Sequence, residues 1–324
     1  MTDSLLLSKR FVVKALALIS VVAAGIALLQ ASGTRLAETQ NLELTALAVD
    51  ESPGLDPRAD IWSEVSEVEV PLSGQQASYA MGGGSVPVVR VKAVHHEATL
   101  YLRLEWDDGT KNDASYRPED FADAAAVEFP AASATSVPSF CMGQPGVGVN
   151  IWHWRADSEA GIPDPSEQYA SAVVDTYPST DDLFYPARAV GNPYAAFDSP
   201  VQNLVAQAFG TLAPAGSQTV SGHGVYEDGR WQVVFARSFD AASDEEAAFA
   251  PGKKTDVAFA VWDGANGERD GMKSVSQFVT LNISSAPLSV EGESNWPWVV
   301  TAVALFLAFT LIGLAFAWYG YRRA

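Results

Sequence analysis

Cysteine is nearly absent from this chain: Cys141 is the single one among 324 residues. No intrachain disulfide can form, and no C-x-x-C-H occurs, which excludes the usual covalent attachment of a c-type haem. Basic residues are scarce as well. Lys and Arg number 20 against 39 Asp and Glu, a formal charge of −19. A surface of that sign repels nucleic acid and anionic lipid headgroups. It suits a salty habitat, a basic partner or plain solubility. The chain also lacks H-E-x-x-H, a Walker loop, a dinucleotide-binding glycine fingerprint and the G-x-S-x-G nucleophile elbow. It has no internal repeat and no heptad pattern, and long hydrophobic runs are missing from its whole middle.

Two such runs lie at the ends. Ala15 to Thr34 carries no charge and follows Lys9, Arg10 and Lys14, while Trp296 to Tyr321 carries none and precedes Arg322 and Arg323. Each is long enough to cross a hydrocarbon core of about 30 Å. Basic flanks on the outer side of both runs place the two termini in the cytoplasm, and Trp296, Trp298, Trp318, Tyr319 and Tyr321 make an aromatic belt. The first run reads as a transmembrane anchor or as a cleaved signal peptide, because Ala31-Ser32-Gly33 is a small-residue stretch. The expected layout begins with a cytoplasmic N-terminus (1–14), the anchor or signal peptide (15–34) and a polar linker (35–58). A main domain (59–285), a second linker (286–295), a transmembrane helix (296–319) and a cytoplasmic tail (320–324) follow. The protein is then expected in the cell membrane, with its main domain on the extracytoplasmic side.

Between the runs the pattern is that of strands. Val88 to Val94 and Thr99 to Trp106 read as a hairpin, in which Leu100, Leu102, Leu104 and Trp106 share one face and Tyr101, Arg103 and Glu105 the other. His95-His96-Glu97 falls at its turn as exposed loop, and Asp107-Asp108-Gly109 reads as a solvated turn. Further strands are expected from Ile61, at Phe121 to Phe129, Val149 to Trp154, Asp256 to Trp262 and Ser274 to Ile283. A second hairpin is expected around Glu227-Asp228-Gly229. Residues 155–215 show little periodicity, with a short helix expected at Val201 to Phe209. Short strands with turn signals and no long amphipathic helix argue for an all-β sandwich of immunoglobulin-like or DOMON-like type.

Two stretches carry unusual chemistry. Phe140-Cys141-Met142-Gly143-Gln144-Pro145-Gly146 sets a thioether beside a glycine- and proline-rich loop and leads into Val149-Asn150-Ile151-Trp152-His153-Trp154. Trp262-Asp263-Gly264, Glu268-Arg269 and Lys273-Ser274-Val275-Ser276 make the other. A thioether is a soft ligand that favours ferrous iron; a core methionine filling a gap is the plainer reading. Lys273 has to lose a proton to bind a metal, which costs about 4–5 kcal/mol at pH 7 and less when the amine is buried; a surface lysine is its plainer reading. His153 is a rival ligand or a pocket-wall residue, since imidazole is the commonest haem partner. It lies between Trp152 and Trp154 and so faces away from both on a strand. Those two tryptophans and Trp262 are either core or a cofactor wall.

Together the two stretches resemble the ethylbenzene dehydrogenase-related haem-binding domain, the γ subunit of molybdenum enzymes of the dimethyl sulfoxide reductase group. The resemblance runs from about Ile61 to Leu281 and takes in Ala187-Arg188-Ala189-Val190-Gly191-Asn192-Pro193 and Asp228-Gly229-Arg230-Trp231. It implies a β-sandwich holding one non-covalent haem b with Met142 and Lys273 as axial ligands. It also implies electron exchange with an iron–sulfur β subunit and a molybdopterin α subunit. The end anchors set this chain apart from soluble members and suggest a membrane redox partner, quinone-linked or cytochrome-linked. Two other readings stand beside it. One is a surface-anchored sandwich binding carbohydrate on Trp62, Trp106, Trp152, Trp154 and Trp262. The other is an anchor that recruits catalytic subunits and has lost its haem.

Overall fold

The computed structural model describes residues 42–77, 80–115, 117–140, 142–160 and 199–288, with Trp318 and Arg322 beyond them. The first hydrophobic run, all of the second except Trp318, the stretch Ala187 to Pro193 and Cys141 lie outside the described residues. Among the described residues no helix is long and apolar enough to cross a membrane.

The all-β expectation holds. In chain order the elements are β1 (Glu43–Ala48), α1 (Ile61–Glu64), β2 (Val68–Pro71), β3 (Ser73–Ala77), β4 (Ala80–Gly82), β5 (Val88–His96), β6 (Thr99–Asp107), β7 (Ala124–Pro130), β8 (Val149–Arg155) and α2 (Ala156–Ala160). Then come β9 (Val201–Ala206), β10 (Ala213–Pro214), β11 (Ser221–Glu227), β12 (Arg230–Ser238), β13 (Lys253–Trp262), β14 (Ser274–Val275) and β15 (Val279–Pro287). The main path of pairing is β10-β9-β8-β7-β13-β15-β1-β5-β6-β12-β11. A twisted ribbon this wide does not stay flat; it folds into packed layers. The fold line is β13. Its first half, Lys253 to Val257, pairs with β15, and its second half, Ala258 to Trp262, pairs with β7. One layer is thus β11-β12-β6-β5-β1-β15-β13 and the other β13-β7-β8-β9-β10, with strand β13 switching between them as corner strands of sandwiches do.

The core between the layers follows from the alternation in each strand. Leu100, Leu102, Leu104 and Trp106 of β6 are fully buried, as are Val89, Val91 and Ala93 of β5. They meet Val127 and Phe129 of β7, Trp152 and Trp154 of β8 and Phe259 and Val261 of β13 in one cluster. Trp154 stands edge-on to Trp231 at 4.9 Å between ring centroids. That approach needs Gly224, because a Cβ there would fall 2.3 Å from the Trp154 ring.

Several expectations are corrected. Residues 43–48, placed in a linker with the rest of the polar stretch 35–58, form β1. It lies parallel to both β15 and β5, with Leu44 and Ala46 buried in the core. Val201–Ala206 is strand β9 rather than a helix; pairing with β8 along its whole length overrides local propensity. Ile61 opens the short helix α1, whose Trp62 covers the outer side of the first layer. His95 and His96 are not exposed at the turn: His95 is buried, its Nε2 2.6 Å from the Ser284 carbonyl oxygen, and His96 Nδ1 lies 3.0 Å from the Val49 carbonyl oxygen. Asp108 is buried rather than solvated, with 4% of its surface exposed. The expected strand from Ser274 to Ile283 divides into β14 and β15.

Candidate functional site

The outer face of the second layer is built from small side chains. Ala124 and Ala126 of β7 and Ala258 and Ala260 of β13 point to that side, with Ile151 of β8 and Leu204 of β9 beside them. Above this floor lies a cavity of about 580 Å³, walled by Trp262, Phe140, Phe209 and Leu212. Larger residues at the four alanines would fill it. The last three wall residues stay part-exposed at the rim.

Met142 lines the cavity and packs on the floor cluster. Its loop is a tight one. Met142 and Gly143 both take left-handed backbone angles, with φ of 69° and 75°. The Gly143 N–H donates to the Ser139 carbonyl at 2.9 Å, and a Cβ on Gly143 would meet the Val147 carbonyl oxygen at 2.9 Å.

Lys273 lines the same cavity. Its Nζ lies 4.8 Å from the centroid of the Trp262 ring, and the Trp262 indole N–H donates to the Asp270 carbonyl at 3.1 Å. The Lys273 carbonyl accepts from the Gln75 N–H at 3.2 Å. Gly83 presses on the Lys273 backbone so closely that a Cβ would fall 2.2 Å from its nitrogen. Glu268 stitches the loop down, accepting from Ser85 N–H at 2.9 Å, Ser85 O–H at 2.7 Å and Asp263 N–H at 3.1 Å. Met142 and Lys273, far apart in the chain, therefore open on one space.

His153 also lines the cavity, its ring 5.1 Å from that of Trp262. Burial, helped by the charges of Arg155 and Lys273, pushes the imidazole down to about 3, so it is neutral at physiological pH. Trp152 and Trp154 sit elsewhere. They are fully buried on the core face of β8 and take no part in the cavity wall. The alternation of a strand separates them from His153. The five tryptophans that a sugar platform would need are all buried, none more than 8% exposed.

Sequence reasoning passed over several cavity residues. Glu128 shares the floor face of β7 with Ala124 and Ala126 and is buried. Burial raises its carboxyl pKa, while the Lys273 charge and the Met142 N–H pull it back down. A lone Glu in the run Ala-Ala-Ala-Val-Glu-Phe was its signal. Its Oε1 and the Oε1 of Gln75 are buried without a hydrogen-bond partner among the described residues. Arg155 and Arg269 also border the cavity; Arg155 pairs with Asp157, and Arg269 lies over the Phe121 ring at 4.5 Å.

A flat apolar floor, a thioether, an amine and a neutral imidazole above it, and arginines at its border fit a planar metal-bearing group with anionic substituents. The donor set is soft and nitrogenous, as iron or copper prefer and calcium does not.

Comparison with known proteins agrees with this. A respiratory nitrate reductase haem subunit of Haloferax mediterranei, so named, is 29% identical over 92% of this chain and 94% of its own length. The chlorate reductase γ subunit of Ideonella dechloratans is 27% identical over 72% of this chain and 81% of its own. The dimethylsulfide dehydrogenase γ subunit of Rhodovulum sulfidophilum is 29% identical over 58% of each. Among solved structures, a family 9 carbohydrate-binding module from Caldicellulosiruptor kristjanssonii in complex with glucose aligns over 75% of this chain and 97% of its own, with 10% identity and a TM-score of 0.38, too distant to bear on function. A family model described as ethylbenzene dehydrogenase matches residues 59–274, which span α1 to β13 and both cavity loops, and the chain belongs to this ethylbenzene dehydrogenase-related family.

Proposed function

We propose that the chain is a membrane-anchored b-type cytochrome subunit that carries single electrons and performs no substrate chemistry of its own. The observation that carries the reading is that Met142 and Lys273 open on one alanine-floored cavity of about 580 Å³. A haem held there supplies one-electron exchange between ferric and ferrous iron. Met142 and Lys273 would hold its iron and His153 would form a neutral part of its wall. Arg155 and Arg269 would face its carboxylates. The Trp262 ring lies beside the Lys273 amine, its centroid 4.8 Å from Nζ, and the alanine floor makes the surroundings apolar. Glu128 lies on the floor of the same cavity, and its carboxyl feels the Lys273 charge.

The relatives are named as haem or γ subunits of nitrate, chlorate and dimethylsulfide enzymes. That supports iron–sulfur β and molybdopterin α partners for this chain, with a quinone or cytochrome at the membrane as the other redox partner. Among the described residues the rim of Phe140, Phe209 and Leu212 is part-exposed, which supports such an approach from that side. The end runs 15–34 and 296–319 support a cell-membrane location with the sandwich on the extracytoplasmic side.

The test is spectroscopic. The full chain, purified in detergent and reconstituted with haemin, should show a Soret band and sharp α and β bands on reduction. Met142→Ala and Lys273→Ala should each convert the low-spin spectrum to high-spin or lose it. A folded, colourless wild-type chain after reconstitution would end the proposal.

A further inference from the structure

Between the hydrophobic end runs, the two longest stretches without charge are residues 129–154 and 199–226, which hold no Asp, Glu, Lys or Arg. The rest of the chain is strongly acidic. The fold sets the two stretches side by side, because β8 pairs with both β7 and β9. Pro130 faces Val149, and Val149 faces Ala206, so the loops that follow β7 and β9 leave the sandwich at the same end.

The exposed apolar side chains gather on those loops. Among the described residues the exposed large hydrophobics are Val137, Phe140, Phe209 and Leu212, between 38% and 58% exposed, together with Trp318 of the C-terminal run. Val137 and Phe140 belong to the loop after β7, and Phe209 and Leu212 to the loop after β9. The second loop is tied by its own hydroxyl. Thr211 Oγ1 accepts from the Gln207 and Ala208 N–H groups, each at 2.9 Å, and donates to the Ala208 carbonyl at 2.8 Å. Polar groups matched within a turn lower the cost of laying it against an apolar medium.

The same end is tethered. Strand β13 is antiparallel to both β15 and β7, so β15 finishes where these loops emerge. The Leu288 N–H, just past β15, donates to the Ala48 carbonyl at 2.7 Å, and the hydrophobic run begins at Trp296. Fully extended, residues 289–295 reach at most about 25 Å. The Glu227-Asp228-Gly229 turn lies at the other end, since β12 runs in the direction of β15 through the pairings of β6, β5 and β1.

We propose that the loops carrying Val137, Phe140, Phe209 and Leu212 rest in the interface of a zwitterionic lipid bilayer, which sets the cavity rim against the membrane. The proposal rests on the membrane-anchored reading of the C-terminal run, not on the haem. Exposed apolar side chains gathered in one patch mark a contact with a partner or a membrane, and the short tether favours the membrane. A second copy of the chain fits less well. It carries the same net charge of −19. It would also bring together the exposed Asp244 and Glu245 of each copy, on a loop that accepts hydrogen bonds from Ala132 and Ser133. Those carboxylates equally repel anionic headgroups, which leaves zwitterionic lipid as the surface that suits this end.

The test uses the full chain in phosphatidylcholine vesicles. Cys141→Ser clears the background, and a nitroxide is attached through Val137→Cys, Leu212→Cys or, as control, Glu227→Cys. Oxygen concentrates in lipid and a nickel chelate stays in water, so collision with each, read by electron paramagnetic resonance, reports where the label sits. Labels at 137 and 212 should collide mainly with oxygen, at a depth of about 5–10 Å, and the label at 227 mainly with nickel. Phosphatidylglycerol vesicles at low salt should lower the oxygen share at 137 and 212; an unchanged share overturns the zwitterionic preference. A label at either loop site that collides mainly with nickel overturns the proposal. So does one that meets neither reagent, the mark of cover by a second copy. A chain that fails to float with the vesicles overturns the anchor and this face together, whereas a chain that floats with its loop labels in water overturns this face alone. The haem assignment is read separately, from the Soret band.

Discussion

The two faces of the second layer are made by the same strands and do opposite things. Towards the core, β7 presents Val127 and Phe129, β8 presents Trp152 and Trp154, and β13 presents Phe259 and Val261, all essentially without solvent contact. Phe129 and Trp152 rings lie 4.7 Å apart. Towards the outside the same strands present Ala124 and Ala126, Ile151 and His153, and Ala258 and Ala260. Large side chains interlock on one face; small ones on the other leave a space. The contrast teaches that volume, more than polarity, marks the binding face, for alanine is as apolar as its neighbours opposite. A packed interior contributes stability through dense contact, whereas a floor of methyl groups leaves room for a flat ligand to complete the packing.

Four substitutions or titrations break or sharpen the contrast. The largest effect should come from the core face. Trp154→Ala removes a ring that touches Trp106 and Trp231 and should cost about 3–5 kcal/mol in a denaturant melt of the full chain. A loss near zero would mean that this face is not the structural one.

Next comes the loop edge of the cavity. Gly83 has φ of 81° and no room for a Cβ against Lys273. Gly83→Ala should cost about 1–3 kcal/mol and displace Lys273, seen as a high-spin shift in the reconstituted chain. An unchanged spectrum would free Gly83 from any positioning role.

A smaller effect is a slope with pH at the end of the core. Asp123 faces Asp108, Asp263, the Trp231 indole and the backbone N–H groups of Asn112 and Gly264. Its folded-state pKa of about 7 exceeds the unfolded value. The folded chain therefore holds a proton that the unfolded chain has released, and stability falls as pH rises from about 4 to about 7, by at most about 1.4 kcal/mol per unit. Asp123→Asn should flatten the slope; a slope equal in both proteins would assign it elsewhere.

The smallest change in stability should sit on the outer face. Ala126→Phe adds bulk where there is space and should alter stability by about 0.5 kcal/mol or less. Yet the same ring fills the floor and should abolish the Soret band on reconstitution. Normal haem uptake by Ala126→Phe would move the binding face to another part of the sandwich.

Legibility in the sequence followed how local each feature is. The β5–β6 and β11–β12 hairpins were readable because both partners and their turns lie in one stretch, and their pairing follows the alternation. Strand β1 was not, since its six residues lie in a longer, largely polar stretch and its partners lie far along the chain in β5 and β15. Asp108 looked like solvated turn because Asp-Asp-Gly is turn chemistry; its backbone is instead held by Gly229 and the Tyr226 hydroxyl of the distant β11–β12 hairpin. The Trp-His-Trp run of β8 was half legible. That His153 points away from both tryptophans follows from strand geometry. Which of the two faces holds the cavity does not.

Local chemistry in the chain determined that strands would form, that they would be one-sidedly apolar, and that a thioether loop and a lysine loop would be the unusual groups on offer. Those properties depend on residue type and near neighbours. Only the tertiary structure decided that β13 turns from one layer to the other, that its alanines join those of β7 to make a floor, and that Met142, Glu128, His153 and Lys273 share the space above it. Backbone pairing between distant segments sets those positions, and it is the long-range registry of strands, not the pattern within any one of them, that assigns a face to the core or to a ligand.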